Sequence, residues 1–219
     1  AGMAIEEKYG GLDFGYVGLG IVLESCGRNL VPSPLISTTL LGSSIIQLSG
    51  SEPQKDEMLP RLAAGDMLLS LAIDERNHHS TRGFETSVTV SAGKQLLNGE
   101  KTLVLDGTIA DKLIVAASDS NGVSLVLVDA QATGVEITPT KMIDSRNVAT
   151  VRFADVAVGK IDILDGSDDI EGALSQALDI ARIGLASEML GSLQQAFEMT
   201  MTYLKERQQF GVAIGTFQA

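Results

Sequence analysis

Residues 203–219 read YLKERQQFGVAIGTFQA, and they close a long run whose apolar positions recur every three or four residues. Leu174, Leu178, Ala181, Leu185, Met189, Leu193, Phe197, Met201 and Leu204 keep that rhythm, which is the pattern of one amphipathic helix. The spacing predicts a helix from Gly172 to Gln208, roughly 55 Å long at the α-helical rise. A helix of that length needs partners along its whole apolar stripe. No second helix of this kind is present in the chain, so its partners are expected downstream of Ala219 or in another subunit. Gly184 and Gly191, two turns apart, share a face and would admit a neighbouring backbone.

Working back from this helix, GSDDIEG at 166–172 reads as an acidic linker whose Asp168 and Asp169 suit a helix N-terminus. Upstream of it, from about Met67 to Val158, the pattern changes to period two and to β-branched residues. Strand-length runs occupy 67–73, 87–91, 95–98, 102–105, 112–117, 123–128, 135–138 and 150–153. The clearest hairpin turn is Asp119-Ser120-Asn121-Gly122, since Asn and Gly both accept positive φ. So many short strands at close spacing predict an antiparallel barrel or sandwich. The first third reads as helical. Val17, Ile21 and Val22 fall on one face of a helix over 14–26, Leu35–Ser49 forms a second, and Pro53 opens a third that Pro60 cuts short. The chain is thus an α+β protein with a helical domain at 1–66, a β-domain at 67–160 and the start of a helical bundle at 161–219.

With 44% hydrophobic and 20% charged residues, the 219-residue chain is ordinary globular material. Its net charge of −12 argues against tracking nucleic-acid phosphates. The same charge would mildly repel an anionic ligand, which would therefore need a local basic site. The single cysteine, Cys26, has no internal disulfide partner and reads as a small packed residue near a helix end. No apolar run approaches bilayer-spanning length. The adjacent His78 and His79 have no further ligand at zinc spacing, and Asp74 and Glu75, as neighbours on a strand end, would point to opposite faces.

Several segments resemble one family. Glu6-Glu7-Lys8-Tyr9-Gly10-Gly11 is similar to the Glu-Glu-x-x-Gly-Gly element of acyl-CoA dehydrogenases. Gly50-Ser51-Glu52-Pro53-Gln54-Lys55, with Leu59-Pro60 and Gly65, is similar to their Gly-x-x-x-Gln-Lys, Leu-Pro and Gly elements. Phe153-x-Asp155-Val156-x-Val158 resembles the strand that closes their β-domain, and Arg207, Phe210, Gly211 and Gln218 resemble their C-terminal signature.

The resemblance implies an FAD between the β-domain and the bundle, in a site shared between subunits. Arg207 would reach the flavin pyrophosphate of the partner subunit, a task suited to a planar donor fork. Gln218 would hydrogen-bond the cofactor, with Gln209 and Phe210 nearby. Read from the residues alone, Arg207 suits an ion pair in a solvated last turn equally well. Asp179-x-x-Arg182 would lie along the acyl-CoA channel, and the i, i+3 spacing equally allows an internal ion pair. The flavin-ring contacts would come from Ile73, Asp74 and Ser80 and from Leu103 and Leu105, with Ser80 also near the substrate.

Here the sequence departs from the pattern. The family's Thr-Glu-Pro-Gly-x-Gly-Ser-Asp is Asp74-Glu75-Arg76-Asn77-His78-His79-Ser80-Thr81, and its Trp-Ile-Thr is Leu103-Val104-Leu105. Two glycines, an aromatic wall and two hydroxyls are lost.

The implied activity is α,β-dehydrogenation of an acyl-CoA thioester, in fatty-acid or other lipid metabolism, with electrons passing to an electron-transfer flavoprotein or similar acceptor. The implied assembly is a homo- or hetero-oligomer in the cytoplasm, or in the mitochondrial matrix of a eukaryote. No residue here suits the catalytic base, which the family supplies from its C-terminal bundle, beyond Ala219. The alternative is a non-catalytic or half-site subunit of a heteromer.

Overall fold

The computed structural model describes residues 2–76, 78–91, 93–120, 122–144 and 146–217. Helix α1 (Gly15–Arg28) leads into a π-helical segment, Leu35–Gly42, which runs on into α2 (Ser43–Ser49), and α3 covers Glu52–Ala64. The strands are β1 (Leu69–Ala72), β2 (Ser87–Ser91), β3 (Lys94–Leu105), β4 (Lys112–Asp119), β5 (Gly122–Asp129), β6 (Val135–Thr140) and β7 (Val148–Val158). Helix α4 (Ile170–Glu206) follows, then a small hairpin of β8 (Gln208–Gln209) and β9 (Val212–Ala213).

Strands β1 to β7 form one seven-stranded sheet in the order β1-β4-β2-β3-β7-β6, with β5 paired to β4. It is mixed, which corrects the antiparallel expectation. β1 runs parallel to β4 from Leu69 opposite Lys112 to Ala72 opposite Val115, and β2 meets β4 in parallel at Ser87 and Ser118. The excursion between β1 and β4 contains the whole β2–β3 hairpin, long enough to bring the chain back in the parallel sense. The two runs read at 95–98 and 102–105 are one strand, interrupted by register shifts at Leu97/Gly99 and Lys101/Val104. At the hairpin read over 119–122, Asp119 pairs with Gly122 across β4 and β5; Asn121 lies outside the described residues.

The helical layer holds this sheet through specific polar ties. Buried Thr38 donates its hydroxyl to the Leu69 carbonyl at 3.0 Å and accepts from the Leu69 N–H at 3.1 Å, which fixes the π-helical segment on β1. Gln54 accepts from the Ser51 N–H at 2.8 Å, closing the start of α3, and donates to the Ile161 and Ile163 carbonyls at 2.8 and 3.0 Å. Helix α3 continues through Pro60, against the sequence expectation, because Met58, Leu59 and Leu62 are buried on both sides of it. Packing of these residues outweighs the hydrogen bond that proline cannot make. Gly65, at φ 82°, ends the helix.

On α1 the face predicted to be buried is open: Val17 and Ile21 are exposed, and Leu19, Leu23 and Gly27 pack instead. They pack because α1 lies directly on α4. A methyl group at position 27 would sit 1.8 Å from the Glu188 carbonyl oxygen, and one at position 191 would sit 1.8 Å from that of Glu24. The two backbones touch, Ser192 donates to the Gly27 carbonyl at 2.8 Å, and Arg28 pairs with Glu198. Buried positions on α4 end at Gly191. Gly191→Ala is expected to destabilise the protein by about 2 kcal/mol or more, because the clash is with backbone and neither helix can yield locally. Gly20→Ala, whose methyl would meet only the Ser187 side chain at 3.3 Å, is expected to cost little or to gain from helix propensity. Denaturant unfolding of the two variants checks the difference.

Candidate functional site

The two runs assigned by resemblance to the flavin are brought to one edge of the sheet. β1 ends at Ala72, and the chain leaves it as a loop, so Asp74 and Glu75 are not on a strand. The Asp74 carbonyl accepts the Thr102 N–H at 2.7 Å, Ile73 gives its carbonyl to Lys101 Nζ at 3.0 Å, and Ser70 donates to the Leu105 carbonyl. Ile73 and Asp74 therefore lie beside Leu103 and Leu105. Leu103 occupies the second register shift of β3 at φ 52° and is 48% exposed. A left-handed leucine costs about 1–2 kcal/mol, and bulges of this kind re-aim side chains next to functional sites.

The clamp for this edge is Lys101, a residue the sequence reading passed over. It is fully buried. Its ammonium lies 2.8 Å from Glu75 Oε1 and 4.2 Å from the centre of the Phe84 ring. Glu75 in turn accepts from the Thr86 N–H at 2.9 Å and the Glu85 N–H at 2.7 Å. Burial by itself would raise the Glu75 carboxyl, but the Lys101 ammonium and the Thr86 hydroxyl and N–H outweigh it and hold the carboxyl below its ordinary value. Burial lowers Lys101, with Glu75 opposing. Lys101 lies inside β3, at a position that falls between the two runs read from the sequence, so only the retained Glu75 hinted at such a partner.

Between the ends of this clamp, Arg76 and residues 78–83 lie over a cleft of about 220 Å³ whose lining includes Ile73, Phe84 and Ser80. Its charges are mixed, with Arg76 and Arg82 beside Glu75 and Glu85. Arg76 pairs with Glu85, and Arg82 approaches Glu171 at 3.3 Å. Ser80 donates to the Arg82 carbonyl at 2.8 Å, closing the loop on itself. The carboxylate that replaces the family's threonine has its own partner, since His79 Nδ1 lies 2.8 Å from Asp74 Oδ1.

The C-terminal candidates stand apart from this edge. Arg207 caps α4, donating its N–H to Tyr203 at 2.9 Å, and its exposed guanidinium forms no ion pair among the described residues. Phe210 and Gly211 are the central residues of the β8–β9 hairpin, at φ 54° and 82°, the primed-turn pattern that matches strand twist. The turn holds Phe210 92% exposed, edge-on to Phe217 at 6.2 Å. Gln209 is exposed in β8, and Gln218 lies outside the described residues. Asp179 and Arg182 form an exposed ion pair at 2.5 Å.

A second cavity, of about 570 Å³, opens where the three layers meet. Its walls are the turn at 30–34, Leu105 at the end of β3 with Asp106 after it, Asp144, Arg146 and Asn147, and Glu188 and Ser192 of α4. Ser37 donates to Asp106 at 2.5 Å, and Arg146 reaches Glu188 at 2.6 Å. Burial pushes the Asp106 carboxyl above its ordinary value, against the Ser37 bond and the nearby Arg146.

Comparison with known proteins agrees with this geometry. The models for the acyl-CoA dehydrogenase N-terminal, middle and C-terminal domains match residues 1–66, 70–156 and 171–219. A probable acyl-CoA dehydrogenase of Bacillus subtilis, YngJ, is 30% identical over 230 aligned positions, which take in 100% of this chain and 60% of that protein. A glutaryl-CoA dehydrogenase of Mycobacterium smegmatis, solved with FADH2, superposes with a TM-score of 0.90 at 25% identity over 99% of this chain and 57% of its own. The ChsE4–ChsE5 complex of Mycobacterium tuberculosis gives 0.86 at 25% identity, with the same coverage. The chain belongs to the acyl-CoA dehydrogenase family, and it spans about 60% of the length of such relatives.

The donor set fits an FAD. The unpaired guanidinium of Arg207 suits a pyrophosphate. Where the family pattern would put the ring, the lost hydroxyls leave the His79 imidazole, 2.8 Å from Asp74 Oδ1, as a polar group.

Glu75→Gln removes the countercharge of a fully buried ammonium, and is expected to cost about 3 kcal/mol or more. The folded carboxyl titrates below the unfolded value of about 4.3. Its contribution is therefore present above that value and lost as pH falls through the lower folded one. Unfolding free energy measured from neutral to acidic pH should show this decline in the parent protein and a flatter course in the variant.

Proposed function

We propose that this chain carries the flavin- and thioester-contacting elements of an FAD-dependent acyl-CoA dehydrogenase that converts an acyl-CoA to its α,β-unsaturated thioester. The observation that carries this reading is the convergence of Ile73–Asp74 and Leu103–Leu105 on one edge, clamped by the buried Lys101–Glu75 pair. When bound, FAD supplies the acceptor for the hydride that leaves the β-carbon. The chain's own residues position and shield. Leu103 and Leu105 offer an apolar wall that excludes water, and His79 offsets the charge of Asp74. The cleft between Arg76 and Arg82 offers these two guanidinium groups to anionic oxygens, and Ser80 is part of its lining. Asp179 and Arg182 line the thioester channel from α4, as the family pattern suggests.

Arg207, Gln209, Phe210 and Gln218 serve the flavin of a neighbouring subunit. Their support is the outward projection of the β8–β9 hairpin, with Phe210 and the Arg207 guanidinium both turned to solvent. The assembly is a homo- or hetero-oligomer of cytoplasmic location, or matrix location in a eukaryote, that passes electrons to an electron-transfer flavoprotein. No helix among the described residues is long and apolar enough to cross a membrane.

The visible spectrum of the purified full-length protein, alone and co-expressed with a neighbouring family member, tests the reading. A bound-flavin band in either preparation, bleached on adding an acyl-CoA, is the expected result. Absence of flavin from both would overturn it.

A further inference from the structure

The 570 Å³ cavity has an unusual lining for a site that takes only hydrocarbon. Its apolar part is the 30–34 turn, with Leu30, Val31, Pro32 and Pro34, together with Ile109 and Leu105. Its polar part sets Asp106, Asp144 and Glu188 beside Arg146, Asn147 and the hydroxyls of Ser33 and Ser192. Asp106 and Glu188 face it, each with one carboxylate oxygen engaged: Asp106 Oδ2 by the Ser37 hydroxyl, and Glu188 Oε1 by Arg146. No described residue donates to the second oxygen of either group. Arg146 is committed to Glu188 and approaches Asp144 at 3.6 Å, so it keeps the wall from carrying the full charge of three carboxylates. What remains open on these two carboxylates is acceptor capacity.

The position of the cavity connects it to the chemistry. Leu105, which lies in the run proposed to face the flavin, is also part of the cavity wall. The acyl part of the substrate is the part that must be buried beside the flavin. The cavity volume is within the roughly 300–1,000 Å³ of small-molecule sites, which leaves room for an alicyclic or branched body. A purely hydrocarbon occupant would close the partly exposed Asp106 and Glu188 off from water and give their open oxygens nothing in return, which is costly.

We infer that this cavity receives the acyl group, and that Asp106 and Glu188 select acyl groups carrying a hydroxyl remote from the thioester over the unsubstituted hydrocarbon. The inference rests on the dehydrogenase reading above. It assigns both residues to substrate selection; neither is the base that removes the α-proton.

The test is calorimetric binding to the flavin-loaded full-length protein, with its partner chain where one is needed, of cyclohexylpropanoyl-CoA and its ring-hydroxylated counterpart. The hydroxylated thioester is expected to bind about tenfold more tightly or better, as a hydrogen bond to an ionised acceptor allows. The ratio of the two dissociation constants should fall toward one in Asp106→Leu and in Glu188→Leu, with thermal melting to verify that each variant folds. If one variant does not fold, the other and the parent ratio still decide. Equal binding of both thioesters by the parent protein overturns the inference and leaves the dehydrogenase reading intact. A preference that survives both substitutions overturns the assignment to this cavity. A preparation without flavin that binds neither thioester removes the underlying reading and this inference with it.

Discussion

Everything at the candidate site depends on one ammonium group that has no access to water. An unpaired buried lysine would lose its proton or unfold its surroundings; Lys101 keeps its place because the Glu75 carboxylate, the Ile73 carbonyl and the Phe84 ring close around it. Those three partners belong to two stretches, 73–75 and 84–86, that would otherwise be the loose ends of one surface loop. The backbone N–H groups of Glu85 and Thr86 reach the same carboxylate. One charge pair therefore fixes both ends of the 76–83 loop and holds Asp74 beside β3. The middle of the loop remains exposed, where it can meet a ligand without disturbing its anchors.

The strained positions follow the same division between a fixed frame and a presented surface. Leu103 and Phe210 both adopt left-handed backbone, which L side chains rarely do, and both turn apolar surface outward. Neither does so by chance of a flexible segment, because Leu103 is held by ladder pairing on each side of its bulge and Phe210 by the β8–β9 hairpin. On α4 the exposed apolar residues include Met189, Leu193 and Phe197, spaced four apart along one side of the helix. Scattered apolar exposure is ordinary on any surface, but a row along one helix is not. The long helix is thus locked to α1 by backbone contact around Glu188 and Gly191, near its middle, and presents a further apolar face to solvent.

Much of this was legible in the sequence, and the reasons are physical. Periodicity revealed α4 to within two residues at each end, because its stripe is long and uninterrupted. Most of the strands were visible through their β-branched alternation and the turns between them. Period two carries no information on strand direction, so the parallel pairing of β1 with β4 stayed hidden. Pro60 was read as a stop because local rules cannot see the burial of Met58, Leu59 and Leu62. On α1, Val17 and Ile21 looked like a core face because hydropathy does not reveal that glycines at 27 and 191 would bring two backbones together. The runs assigned to the flavin came from resemblance, while their support did not: Lys101 falls between two runs read as separate strands, where nothing marks it as buried.

The balance of charge at the site is decided locally. A net charge of −12 suggests that an anionic cofactor or thioester would be repelled, but screening confines such effects to about 8 Å at physiological ionic strength. Within that range of the cleft stand Arg76, Arg82 and the two histidines as well as acidic groups. Asp74 is the residue least suited to a reduced, anionic flavin, and its carboxylate is also the one faced by both an imidazole and the field of Lys101. With an aspartate where the family pattern has a threonine, the carboxylate needs a neighbouring partner, and the His79 imidazole, which stands where the pattern has a glycine, lies 2.8 Å from it. The two departures that looked independently damaging in the sequence are, in the fold, a single paired change.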